Sequence, residues 1–402
     1  MSSGNEIGSF RNAVNRVHGP KEKEMDFAFS EDQEMVRDLV NQIFGGSCSH
    51  ERSKAVEDAG LCLDEDLWKD LAGANLTALC VPESLGGSGL GLIECALVLQ
   101  EAGRHCAPAP LLETLILGSM PIAKFGTDAQ RKQWLAPVAN DAAVLTAAFD
   151  EAGSSNPAKP RLCAVRDGEG WKLSGEKICV PAAERASGIL VPAAIEGGKV
   201  GVFLVAPGTP GLEILPQKSI NWQAQAMLQF TDAAVAADAL LGDENSGVEI
   251  VEWTLDRARL AVSAIMLGVG EEALKRTAAF LSERKQFGRQ IGSFQAVQMR
   301  CADAYIDLEG MRSALWQAVW RVDEGLRAGA EICAAKWWAS RAGDRVTHSA
   351  QHLHGGIGSD IDYPIHRYFL WAQQLSNQFG GPTQQLAELG KMLVNEDTRP
   401  SL

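Results

Sequence analysis

Arg284-Lys285-Gln286-Phe287-Gly288-Arg289-Gln290-Ile291-Gly292-Ser293-Phe294-Gln295-Ala296-Val297-Gln298 gathers the residue types best suited to hold a ligand. A helical pattern precedes it, from about Gly247 to Leu281. Another follows, with Ser293 as its N-cap and Phe294, Val297 and Cys301 spaced for one face. The turn between carries three cations, Arg284, Lys285 and Arg289, and two glycines. Any one cation at a helix end is explained by the last carbonyls and the negative end of the helix dipole. Three of them around an aromatic ring, just before a new helix N-terminus, also suit a pyrophosphate, which takes guanidinium forks and free N–H groups. A second run, His352-Leu353-His354-Gly355-Gly356-Ile357-Gly358, reads either as a helix C-cap or as backbone pared down for close approach to a ligand.

These residues need elements to position them. At 402 residues the chain exceeds one ordinary core, so two or three domains are expected. Residues 1–24 are polar and aperiodic and read as an extension. Residues 25–142 read as a helical domain. Ser30-Glu31-Asp32-Gln33 is a capping box, Leu67, Leu71, Leu76 and Leu79 stand near helical spacing, Ile93, Leu97 and Leu99 begin another apolar face, and Trp68 is assigned to the core. Residues 143–245 read as a β domain. Leu145–Phe149 is short and apolar, Leu162–Val165 and Trp171–Leu173 flank the turn Asp167-Gly168-Glu169-Gly170, and further strands centre on Ile189–Val191, Gly201–Val205, Leu212–Leu215 and Met227–Phe230. Residues 246–402 are helical again. Ser246-Gly247-Val248-Glu249 reads as a second capping box, helices are expected near 294–326, 328–350 and 364–378, and the last opens at Pro382.

Composition excludes several classes. A formal net charge of −14 argues against nucleic acid or an anionic membrane as the main partner. No apolar run reaches membrane-spanning length, and the N-terminus lacks the apolar core of a signal peptide. Nine cysteines show no Cys-x-x-Cys pair, which fits reduced thiols in a cytoplasm better than disulfides or zinc. His352 and His354, two apart in a Gly-rich turn, do not make a convincing metal pair.

The central stretch resembles the Arg-x-x-Phe-Gly-x-x-Ile…Gln signature of the acyl-CoA dehydrogenase family. Val81-Pro82-Glu83-Ser84-Leu85-Gly86-Gly87-Ser88-Gly89 resembles the family's Pro-Glu-x-x-Gly-Gly-x-Gly loop. The 352–358 run is similar to its Gln-x-x-Gly-Gly-x-Gly, and Phe379-Gly380-Gly381-Pro382-Thr383-Gln384 stands where the family has Tyr-Glu-Gly-Thr-x-Gln. The resemblance spans about residues 25–395 and implies an α+β fold: an N-terminal helical domain, a middle β-barrel and a C-terminal four-helix bundle. It implies FAD as cofactor, an acyl-CoA thioester as substrate and an electron-transfer flavoprotein as electron acceptor. The reaction removes a proton α to the thioester and a hydride from the β carbon, and a Glu serves as base. Arg284, Phe287, Gln295, His352, Gly355, Gly356 and Gln384 match positions that contact FAD.

The departures are one-sided. Both family positions for the base are empty: Gly380 occupies one and Ala258 the other. Asp256 is two residues from Ala258, a helical rotation of about 200°, so it should face away and pair with Arg259 or Arg257. The family's Lys-x-Trp-Ile-Thr, whose Trp and Thr lie against the isoalloxazine, reads Lys177-Ile178-Cys179-Val180-Pro181. A thiol cannot stack on the ring and Pro has no N–H to offer it. Within the family the two halves of a flavin site come from different subunits. Three readings follow: a non-catalytic subunit that shares FAD with a Glu-bearing paralogue in an α2β2 tetramer, resembling those acting on steroid side-chain CoA esters; a self-sufficient homotetramer with an atypical base; or a flavin-free scaffold.

Overall fold

The computed structural model describes residues 28–59 and 63–394. The extension at 1–24 lies outside the described residues. The description below concerns Glu31 onward.

The N-terminal helical domain contains α1 (Glu31–Ser47), α2 (His50–Asp58), α3 (Glu65–Gly73), α4 (Leu92–His105), a π-helical segment (Leu112–Ser119), α5 (Met120–Phe125) and α6 (Asp128–Asn140). Leu67, Trp68 and Leu71 turn one face of α3 into the core, and the Trp68 indole N–H donates to Ala142 O at 2.8 Å. Thr127 and Gln130 form a reciprocal capping box at the start of α6. The Gln130 amide then donates to Asp238 O and Leu240 O, which ties this helix to the sheet.

The strands are β1 (Val144–Ala147), β2 (Cys163–Asp167), β3 (Gly170–Pro181), β4 (Ala186–Ile195), β5 (Lys199–Val205), β6 (Leu212–Lys218), β7 (Ala224–Val235) and β8 (Leu240–Leu241). The expected hairpin is present as β2–β3, with Asp167 opposite Gly170. The expected barrel is not. The strands run β6-β7-β3-β2-β4-β5-β8, with β1 added to β4, and the sheet is open. Its ends explain why. β8 has two residues, and β6 pairs only with β7 and carries Pro216, which has no N–H for a further ladder.

The C-terminal helical domain is built on α7 (Gly247–Glu283), followed by α8 (Gln295–Asp323), α9 (Gly329–Leu353), α10 (Ile365–Asn377) and α11 (Pro382–Val394). α7 packs against α8, α9 and α10, and α9 also holds α11. Two expected caps are absent. Ser246 already has helical φ/ψ, and its hydroxyl exchanges hydrogen bonds with the Asp243 backbone, while Asp243 Oδ1 takes the N–H groups of Asn245 and Ser246. Ser293 lies in a 3-10 turn and donates to Gln290 O at 2.7 Å, so Phe294 occupies the N-cap position of α8.

The N- and C-terminal helical domains share one core through the α4–α7 crossing. Backbones meet there because of two glycines: a Cβ on Gly103 would collide with Ile265 O, and one on Gly268 with Gln100 O. Gly268→Ala is therefore expected to lower stability by about 1–3 kcal/mol, since neither obstacle is a movable side chain. An unchanged thermal midpoint would show that the helices can part without loss.

Candidate functional site

α7 ends where the Arg284 N–H donates to Phe280 O at 2.9 Å. The next residues form a two-strand ribbon, β9 (Lys285–Gln286) with β10 (Arg289–Gln290). Phe287 and Gly288 join them with φ of 52° and 79°. Positive φ at both central residues defines a type I′ turn, whose twist suits a tight hairpin. Gly288 adopts it freely, whereas Phe287 does so against its Cβ. The Phe287 side chain is 91% exposed and meets Phe294 edge to face at 6.2 Å, and the Phe294 ring also lies 4.0 Å under the Arg289 guanidinium.

Arg284, Phe287, Gln295, His352, Gly355 and Gly356 are all exposed. The His354 ring stacks on Phe280 at 4.4 Å and so brings the end of α9 to the end of α7. Gly355 has φ of 66°, as a helix C-cap requires. Gly358 is needed for packing, because a Cβ there would meet Gln351 O. Gly356 has neither reason: its φ is ordinary and nothing lies within 4 Å of a Cβ placed on it. Gln384 is not part of this group. It opens α11 and donates to Ser155 O at 3.1 Å, beside the Phe379-Gly380 turn.

That turn closes a separate cavity of about 260 Å³ between the sheet and α10. Phe149, Asp150, Cys179, Pro181, Gln378 and Phe379 are among its walls. The two residues that replace the family's ring-facing Trp and Thr thus face one space together. It is smaller than the roughly 300–1,000 Å³ usual for small-molecule sites, and Phe149 and Phe379 meet edge to face across it at 6.5 Å. Burial pushes the Asp150 carboxyl up, against the pull of Lys177. Lys177 and Glu151 form a buried ion pair at 2.7 Å behind this wall, and Glu151 also accepts the N–H groups of Arg161 and Leu162.

Gly380 has φ of 100°, and a Cβ there would lie 2.7 Å from Gln385 Nε2 and 3.0 Å from Gln384 Oε1. Ala258 is fully buried in the helical core. Asp256 pairs with Arg259 at 3.1 Å and does not line the cavity. Burial raises its pKa, opposed by Arg259 and Arg257. Arg259 also donates to Phe379 O.

Lys336, fully buried on α9, supports the cavity from behind. Its ammonium donates to Ser340 Oγ at 2.8 Å and to Leu375 O and Ser376 O at 3.1 Å, satisfying the last carbonyls of α10. Burial, reinforced by Arg259, pushes it down from the ordinary 10.5 to about 7. Between those values the unfolded chain holds a proton that the folded chain does not, so this group makes stability rise with pH across that window. Lys336→Met is expected to flatten that rise in urea midpoints measured from pH 7 to pH 9.5, and a slope equal to that of the unsubstituted protein would refute it.

Sequence reasoning missed the left-handed Phe287, although Phe-Gly between two extended pairs is a readable hairpin signal. It also missed the Phe280–His354 stack, which joins segments about seventy residues apart and leaves no local pattern.

Two helical domains thus flank a strand-rich middle, with an aromatic-and-cation turn after the longest helix and a Gly-Gly turn beside it. The chain belongs to the acyl-CoA dehydrogenase family. Residues 30–142 match the model for the acyl-CoA dehydrogenase N-terminal domain and residues 245–390 that for its C-terminal domain. The chain is 36% identical over 378 residues to acyl-CoA dehydrogenase FadE27 of Mycobacterium tuberculosis, covering 92% of this chain and 99% of that protein. It is similar to a variant of the Tcur3481-Tcur3483 steroid ACAD, with 43% identity, a TM-score of 0.84 and coverage of 90% and 98%. It is also similar to the ChsE4-ChsE5 complex from Mycobacterium tuberculosis, with 36% identity, a TM-score of 0.87 and coverage of 94% and 100%. Members of this family use FAD.

Proposed function

We propose that this chain is the non-catalytic subunit of a heteromeric acyl-CoA dehydrogenase. It lends the adenine- and pyrophosphate-binding half of an FAD site to a paralogous, Glu-bearing partner in an α2β2 tetramer. The observation that carries the reading is Phe287. A bulky residue in the left-handed region stores about 1–3 kcal/mol of strain, and here the strain presents a ring that is 91% exposed. Among the described residues it meets Phe294 edge to face at 6.2 Å. Beside it stand the exposed Arg284, Gln295, His352, Gly355 and Gly356, which together offer a guanidinium, an amide, an imidazole and bare backbone to a nucleotide.

The residues present fit FAD on this outward face and not in the chain's own cavity. There Cys179 and Pro181 offer the ring neither a stacking surface nor a donor, and Phe149 and Phe379 meet edge to face in its walls. Gln384, beside the Phe379-Gly380 turn, stands apart from the outward group. FAD, when bound, accepts the hydride. This chain's residues orient the nucleotide, and the base belongs to the partner, because Gly380 and Ala258 carry no carboxylate.

Two similar structures bear paired names, one of them a complex and the other a steroid ACAD. They support a two-chain assembly and a steroid side-chain CoA thioester as substrate. An electron-transfer flavoprotein is the acceptor this reading assigns. No helix among the described residues is long and apolar enough to cross a membrane, and the reading places the complex in the cytoplasm.

The chain purified alone is expected to be colourless or weakly yellow and inactive, and co-expression with its Glu-bearing paralogue to yield a yellow, active tetramer. Turnover by this chain alone would refute the proposal, and a complex without flavin would leave only a scaffold.

A further inference from the structure

We propose that His354 is a positioning residue for the nucleotide-binding face: its ring, held between Phe280 and Tyr363, fixes the Gly355-Gly356 turn against the end of α7. The inference rests on the proposed FAD-sharing role. The geometry is specific. The His354 ring lies almost parallel to Phe280, at 4.4 Å and 26°, and meets Tyr363 from another side at 5.4 Å and 52°. Its Nδ1 bonds Ala350 O at 2.8 Å, one helical turn back, which locks the ring to α9 and places the proton on Nδ1. Each partner then leads directly into a ligand-facing element. Phe280 O accepts the Arg284 N–H at 2.9 Å, and Gly355 follows His354 in the chain. The stack is therefore a rivet between the residue that starts the cationic turn and the residues that start the glycine turn.

His354 is only 4% exposed, and its Nε2 is buried with no hydrogen-bond partner among the described residues. An unpaired buried acceptor is unfavourable, so a Phe ring in the same place should make the same ring contacts at no loss of stability. Burial also lowers the His354 pKa, opposed by the Ala350 carbonyl, and favours the neutral ring that the Nδ1–H bond needs. The exposed His352, which the family resemblance implicates, makes no such connection. The residue that organises the turn is its buried neighbour.

The test uses the co-expressed complex and three variants of this chain: His354→Ala, His354→Phe and Arg284→Ala. The readouts are FAD release on dilution, followed by flavin fluorescence, and the thermal midpoint of the complex. His354→Ala is expected to speed FAD release at least tenfold. His354→Phe keeps both ring contacts and is expected to restore release to within about threefold of the unsubstituted rate, with an equal or higher midpoint. If His354→Ala lowers the midpoint while FAD release below that midpoint stays unchanged, the positioning role is wrong and the stack is packing only. If Phe fails to rescue, the ring contacts are not what matters, and the inference also falls. Arg284→Ala separates the two levels. Fast FAD release from it with normal release from His354→Ala sinks only the present inference. Unchanged release from Arg284→Ala sinks the shared-site reading itself.

Discussion

Arg284→Ala in this chain, assembled with its partner, is expected to weaken FAD binding about 10- to 150-fold. That is the loss of one charge-assisted hydrogen bond to phosphate, about 1.5–3 kcal/mol. The effect should appear at the partner's active site, although the substitution is in a chain with no base. Turnover should fall at limiting FAD and return when FAD is supplied in excess, because the base and the acyl site are untouched. The fold should not suffer, since the Arg284 side chain is exposed and surface changes are usually neutral to stability. Measured FAD affinity equal to that of the unsubstituted complex would place the nucleotide elsewhere.

Gly380→Glu restores the family's base in sequence, yet it is expected to restore no activity. The backbone at Gly380 has φ of 100°, a region that glycine adopts and other residues avoid. A side chain there would press on Gln384 and Gln385, which can move, but the dihedral cannot relax without shifting the Phe379 turn. The substitution is expected to lower stability by about 1–3 kcal/mol and to leave the isolated chain without turnover. Even a well-placed carboxylate would face a cavity walled by Phe149, Cys179 and Pro181. Turnover by the Gly380→Glu chain alone would show that its own site is one substitution from function.

Periodicity located most elements, because burial of one face leaves a direct trace in the order of residues. The helix expected from Gly247 to Leu281 ends at Glu283, and the strands centred on Ile189, Gly201, Leu212 and Met227 fall within β4 to β7. The expected pairing of Asp256 with Arg259 is present. What periodicity does not carry is how strands close and how chain ends are held. The barrel expectation failed because closure depends on the two outermost strands, of which β8 has two residues and β6 carries Pro216. Both of these serine caps failed because the hydroxyls are engaged elsewhere, Ser246 with the Asp243 backbone and Ser293 with Gln290 O. The motifs picked out Arg284, Phe287, Gln295, His352, Gly355 and Gly356, which are all exposed, but they grouped Gln384 with them, and Gln384 instead donates to Ser155 O beside the Phe379-Gly380 turn. The left-handed backbone at Phe287 and Gly380 was not legible, because a single residue's φ is set by the turn it closes.

The central claim concerns where flavin sits, and a count decides it. The FAD-to-chain ratio of the purified native complex, from flavin absorbance against total protein, should be about one FAD per two chains if each site is built from both kinds of subunit. A ratio of one FAD per chain would mean that this chain's own cavity also holds flavin, and would contradict the account.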